Sequence, residues 1–151
     1  MNLISLKDTK ELSRKISKII KSGDIIFLCG EIGTGKTTFV RYLINHLEVE
    51  NKTKISDILS PTFNIVYNYD IKKIKIHHYD LYRLQNSKDI LELGMFENFK
   101  NYIKIIEWPE LIEPKPKDRI DILIKYSKVI TSRKVKITGF GKWKDYKFNE
   151  I

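Results

Sequence analysis

Cysteine is nearly absent: Cys29 stands alone among 151 residues, so no internal disulfide can form and no C-x-x-C or Cys/His spacing is available for zinc. A reducing compartment, the cytoplasm, is the expected setting. Long apolar runs are missing too. The opening MNLISLKDTKELSRK turns charged after six residues, and no later window approaches the roughly 18 apolar residues of a bilayer span, so neither secretion nor membrane insertion is expected. Arginine is scarce, five of 28 basic residues, and no charge run reaches five in a row. The net charge of +9 therefore comes from scattered lysines. Scattered lysines argue for a solvated basic surface over a dedicated RNA groove, although such a surface would favour approach to an RNA-bearing assembly.

What is present suits one ordinary domain, residues 1–151, with 42% apolar residues to build its core. Asp8 and Glu11 read as a D-x-x-E cap, and Leu12, Ile16, Ile19 and Ile20 mark one face of a first helix stopping near Gly23. DIIFLC, Asp24 to Cys29, is a short apolar run of the kind that forms a buried central strand, with Cys29 as core.

The stretch that follows, GEIGTGKTTFVRYLINHL, contains G-x-x-x-x-G-K-T from Gly30 to Thr37. Gly30, Gly33 and Gly35 let the backbone turn with its N–H groups inward, a nest for anionic oxygens. Lys36 would reach the β and γ phosphates, and the Thr37 hydroxyl would coordinate magnesium. The next helix, with Phe39, Leu43, Ile44 and Leu47 as its apolar stripe, adds its positive end, while His46 near its close reads as a surface residue. A chance match to the eight-residue pattern is expected in under about 1% of chains this size. The fold class expected is α/β, a P-loop NTPase-like three-layer sandwich.

Such a loop needs a carboxylate for magnesium and a residue that orients the attacking group. Asp80 closes IKKIKIHHYD and Glu107 closes YIKIIE. Hydrophobicity favours Glu107 as the end of a buried strand, whereas the run before Asp80 alternates like a half-exposed one. Pattern leaves the choice open. His77, His78 and Asp80 are also close enough in sequence to suggest a metal cluster or the polar end of a strand. Phe63 to Tyr69 and Ile74 to Tyr79 read as an antiparallel hairpin turning around Asp70 to Lys73, towards one edge of an otherwise parallel sheet. RIDILIKYS and VITSRKVKIT, separated by Lys128, read as a second antiparallel pair, which makes the sheet mixed. Between the pairs, Asn86 or Ser87 caps a short helix with Ile90, Leu91 and Leu93, ending near Gly94. In SPTF, Pro61 stiffens the backbone where Thr62 presents a hydroxyl; this is a strand-entry loop or a sensor of the γ phosphate.

Taken in order, GEIGTGKTT, SPTF, HHYDLYRL and IEWPE resemble the TsaE family, also called YjeE, bacterial P-loop ATPases needed to make threonylcarbamoyladenosine in tRNA. The resemblance runs from Gly30 to Glu110. It implies that Gly30, Glu31, Ile32, Gly33, Thr34, Gly35, Lys36, Thr37 and Thr38 hold ATP or ADP together with Thr62 and Trp108. It further implies that Thr37, Asp80 and Glu107 serve Mg2+, with Asp80 as the Walker B-type carboxylate. Lys36, Asp80 and Glu107 become the catalytic set, Glu107 orienting water or joining the magnesium shell. His78 is then a support for Asp80 and His77 a strand residue, while Tyr82 and Arg83 pack or contact partners. The family's partners, TsaD and TsaB, form the transferase, so tRNA would be met through that assembly. Weak hydrolysis alone and stronger hydrolysis in the assembly are expected.

Two rivals remain. A small-molecule P-loop kinase would share Gly30 to Thr37, but no arginine-rich lid follows the P-loop helix; a GTPase is disfavoured by NKTK, Asn51 to Lys54, and by the lack of D-x-x-G. A noncatalytic RNA-binding module would use Trp143, Tyr146 and Phe148 interleaved with Lys142, Lys144 and Lys147 as a stacking surface. The alternative for that tail is a segment pinned to the sheet by its aromatics.

Overall fold

The computed structural model describes residues 1–97, 99–127 and 132–150. In chain order the elements are β1 (Asn2–Leu3), α1 (Leu6–Ile19), β2 (Ile25–Cys29), α2 (Lys36–Glu50), β3 (Val66–Ile71), β4 (Ile74–Asp80), α3 (Ser87–Glu92), β5 (Ile103–Glu107), β6 (Arg119–Tyr126) and β7 (Arg133–Phe140), with short 3-10 turns between the later ones. The strands form one seven-stranded sheet ordered β1-β7-β6-β2-β5-β4-β3. β2 pairs in parallel with both β5 and β6, and β4 with β5. β3 and β7 are antiparallel additions, so the mixed sheet read from the sequence is the one observed.

Helices α1 and α2 cover one face through Leu12, Ile16, Phe39, Leu43 and Ile44, packed on Ile26, Leu28, Ile76, Ile105 and Ile122. The other face is thinner. It holds Ile25, Phe27, Tyr79 and Ile106 under Ile90 of α3, Met95 and Ile112. The central strands lie between two such layers, and all five residues of β5 are buried.

Several local readings shift. Ser5, not Asp8, caps α1: its hydroxyl accepts from the Asp8 amide, and the Asp8 carboxylate accepts from the Ser5 amide. Glu11 instead pairs with Arg14. The helix closes at Ile19, and Gly23 turns the chain towards β2 with φ +93°. β3 begins at Val66 because Ile65 has φ +66° and breaks the extended run; the hairpin turn shrinks to Lys72 and Lys73. β4 is flanked on both sides, so its last residues are buried rather than half-exposed. α3 is capped by Asn86. Lys128 and the reading of strand from Val129 to Thr131 lie outside the described residues.

The tail is held down by two of its rings. Trp143 and Phe148 are buried in the main core while Tyr146 packs edge-on to Trp143. A stacking surface built from all three free rings does not match this arrangement.

Lys104 is an unusual member of β5, buried to 1% exposure, and among the described residues its ammonium donates only a long 3.3 Å bond to the Glu97 carbonyl. Burial pulls its pKa below the ordinary 10.5. Between that lowered value and 10.5 the unfolded chain binds more protons than the folded one, so this group makes stability rise with pH through the window. Below the window a buried charge costs stability. Lys104→Met is therefore expected to gain about 1 kcal/mol at neutral pH, the gain fading in strongly alkaline solution. Urea melts at the two pH values measure it, and a less stable variant at neutral pH would show that the carbonyl bond offsets burial.

Candidate functional site

β2 ends at Cys29 and the chain turns through Gly30, at φ +139°, into the loop that starts α2. A Cβ at Gly30 would stand 2.1 Å from the Ile124 carbonyl oxygen, so no side chain fits. Gly35 caps α2 in a left-handed conformation with no side-chain bond to the helix. The first-turn amides of α2 thus lack helix partners and keep their positive character for a ligand. Tyr126 braces the loop by donating its hydroxyl to the Ile32 carbonyl at 2.7 Å.

Lys36 is 5% exposed and bends back over its own loop, donating to the carbonyls of Gly30 at 2.7 Å and Glu31 at 3.0 Å. Its ammonium also lies 3.8 Å from the centre of the Trp108 ring. Burial pulls its pKa below the ordinary 10.5, against the opposing pull of Glu107 and then Asp80. Trp108 sits at φ +58°, an uncommon conformation for a bulky residue, and its ring tilts against Tyr82 at 4.9 Å.

The two candidate carboxylates end neighbouring strands and are paired in register, Asp80 beside Glu107. Their partners differ. Thr37 donates its hydroxyl to Glu107, with Oε1 at 3.0 Å and Oε2 at 3.1 Å. Asp80 Oδ2 accepts from Ser60 at 2.9 Å and Thr62 at 2.6 Å, and Oδ1 from the Tyr82 amide at 3.0 Å. Glu107 is thus the carboxylate beside the P-loop threonine, while Asp80 holds the SPTF loop. These contacts bring together Lys36, Thr37, Thr38, Thr62, Asp80, Glu107 and Trp108 around a cavity of about 360 Å³, which Ile32, Gly33, Gly35, Ser60 and Tyr82 also line. Glu31 and Thr34 stay in the loop turn behind it, where Thr34 donates its hydroxyl to the Glu31 carbonyl.

His78 corrects an expectation: its Nε2 lies 2.8 Å from Glu107 Oε1, so it supports Glu107 and not Asp80. The adjacent His77 stacks on Tyr102 at 3.9 Å and contacts Tyr79, and the two imidazoles thus have unrelated roles. Arg83 lies over the exposed Phe63 ring at 5.2 Å. The residue missed from sequence is Ser60; in an extended loop it shares a side with Thr62 two residues on, a signal that was legible. Cys29 is a thiol and no nucleophile, since burial pushes its pKa up to about 11. His46 pairs with Glu50 one turn on, at 3.1 Å.

The donor set suits a hard cation. Thr37, Glu107 and Asp80 offer only oxygens, and magnesium is ordinarily held by one or two carboxylates with waters and phosphates. A larger cavity of about 1030 Å³ lies on the opposite side of the sheet among Ile25, Ile90, Met95 and Ile112, but none of this chemistry reaches it. Among the described residues no helix is long and apolar enough to cross a membrane.

Residues 3–135 match the family described as threonylcarbamoyl adenosine biosynthesis protein TsaE. The chain is 40% identical over 107 residues to the tRNA threonylcarbamoyladenosine biosynthesis protein TsaE of Rickettsia felis, covering 71% of this chain and 60% of that protein. With the protein of the same description from Bacillus subtilis it shares 32% identity over 124 residues, 81% of this chain and 74% of the relative. The matched region thus spans less than two thirds of the Rickettsia felis relative and about three quarters of the Bacillus one. Among solved structures, YdiB of Bacillus subtilis superposes with a TM-score of 0.78 at 25% identity, covering 99% of this chain and 90% of that one.

Proposed function

The chain belongs to the TsaE family, which takes part in tRNA threonylcarbamoyladenosine biosynthesis, and from that premise we propose that it is a magnesium-dependent ATPase. It acts as one P-loop domain and as the accessory component of the assembly that modifies the adenosine beside the anticodon. The observation that carries the reading is the Thr37–Glu107 contact, which joins the first turn of α2 to the end of β5 beside Lys36. A loop for phosphates, a hydroxyl for the cation and a buried carboxylate are brought within one cavity.

In this reading, Lys36 leaves its loop carbonyls for the β and γ phosphates, where the N-terminal amides of α2 add positive potential. Thr37, Asp80 and Glu107 would hold Mg2+, which, when bound, neutralises charge on the phosphate oxygens. Glu107 would orient the attacking water. Trp108 and Tyr82 line the cavity and would limit other water. Thr62 and Ser60, tied to Asp80, would carry the nucleotide state to the exposed Phe63, Leu59 and Ile32. Those apolar groups are the natural contact for TsaD and TsaB, with tRNA met through them.

The test is magnesium-dependent ATP hydrolysis with and without TsaD and TsaB, using Asp80→Ala as the comparison. Weak basal turnover, a stimulation of at least tenfold by the partners and loss of that stimulation in the variant are expected. Nucleotide binding without hydrolysis in either setting would sink the ATPase reading and send the search to a phosphoryl acceptor.

A further inference from the structure

We propose that His78 is the positioning residue for Glu107, an inference that rests on the ATPase reading and assigns a role to a buried imidazole outside the phosphate-binding set. His78 is 0% exposed and Glu107 2%. Both lie on the sheet face beneath α2. In the β4–β5 register Asp80 is opposite Glu107 and His78 opposite Ile105, so His78 is the diagonal neighbour of Glu107 on that face.

The hydrogen bonds divide the two Glu107 oxygens unequally. Oε1 accepts from Thr37 at 3.0 Å and meets His78 Nε2 at 2.8 Å, whereas among the described residues Oε2 has only Thr37, at 3.1 Å. An ionised carboxylate can only accept, so the proton of the His78 bond belongs on Nε2. Among the described residues His78 Nδ1 is buried with no hydrogen-bond partner; a bare acceptor there costs less than a stranded N–H, which agrees with the proton lying on Nε2. The imidazole therefore pins Oε1 and leaves Oε2 as the oxygen with acceptor capacity for water or cation. Without that pin, rotation about the terminal Glu107 bond is restrained by the single Thr37 hydroxyl. Because small misplacements of an orienting group cost about 10²-fold in rate, the bond belongs to turnover and not to binding.

Three variants of the full chain, assayed with its partners, test this. His78→Leu is expected to lower turnover by about 10- to 100-fold while ADP affinity stays within about threefold of the parent. His78→Gln places an amide N–H near the Nε2 position and is expected to recover at least about tenfold of that loss. In a Glu107→Gln background His78→Leu is expected to add less than about threefold. Turnover of His78→Leu near the parent level, equal losses in the Leu and Gln variants, or additive losses in the double variant would overturn the inference.

A measurement on the unsubstituted side chain guards against a variant that does not fold. Nitrogen-15 spectra of the imidazoles should show His78 as the tautomer protonated at Nε2, with a resonance that moves when Glu107 becomes Ala. The other tautomer, or an unmoved signal, would refute the pairing. Should the parent chain fail to hydrolyse ATP even with TsaD and TsaB, the ATPase reading falls, while the spectra still decide whether His78 holds Glu107.

Discussion

Replacing Lys36 with alanine is expected to lower ATP turnover by about 10³-fold and nucleotide affinity by about 10²-fold. The ammonium already lies in a shielded position, 5% exposed and 3.8 Å from the centre of the Trp108 ring. A charge in such a place acts through a low local dielectric and is stronger than the same charge in water. Its present partners are neutral carbonyls of Gly30 and Glu31, which a phosphate oxygen outcompetes because charge-assisted bonds are about twice as strong. Arginine should not restore function, since its planar fork cannot take the place of a compact ammonium between Trp108 and two carbonyls. Single-turnover hydrolysis and calorimetric titration with ADP separate the two effects. Turnover of the alanine variant within tenfold of the parent would remove Lys36 from the phosphate site.

The contrast between Lys36 and the carboxylates shows what a sequence can display. The P-loop was legible because its chemistry is contiguous: strand end, glycines, lysine and threonine fall within a dozen residues, each with a local conformational reason. The parallel core with antiparallel hairpins at its edges was legible for a similar reason, as turn residues separate β-rich runs. Asp80 and Glu107 could not be ranked, since both close strands at the same end of the sheet and neighbour each other in register. What distinguishes them is the Thr37 contact across 70 residues of chain, and no local pattern encodes that. The resemblance ties His78 to Asp80, two residues on in HHYDLYRL. Strand pleat and stagger instead give it a cross-strand partner. Ser5 with Asp8 and Asp8 with Glu11 both match a capping pattern, and only the helix start at Leu6 separates the two.

Glu107→Gln is expected to leave the fold and ATP affinity within about fivefold of the parent and to lower turnover by about 10²- to 10³-fold. The exchange keeps the shape of a side chain that is 2% exposed, so packing in β5 is retained. It changes the bonding pattern, because the new amide nitrogen donates where an oxygen accepted. Thr37 now addresses both oxygens and His78 one of them; the glutamine can satisfy these donors through a single oxygen only. Loss of the negative charge also removes a group that favours the charged Lys36. Magnesium titration divides the two roles open to Glu107. If turnover recovers as magnesium is raised, the carboxylate belongs to the cation's shell and Asp80 cannot hold the ion unaided. If the magnesium requirement is unchanged and turnover stays low, Glu107 acts on the attacking water, and the Thr37 hydroxyl with Asp80 suffices for the metal. Turnover preserved at all magnesium concentrations would exclude both roles and leave Glu107 as a buried brace between Thr37 and His78.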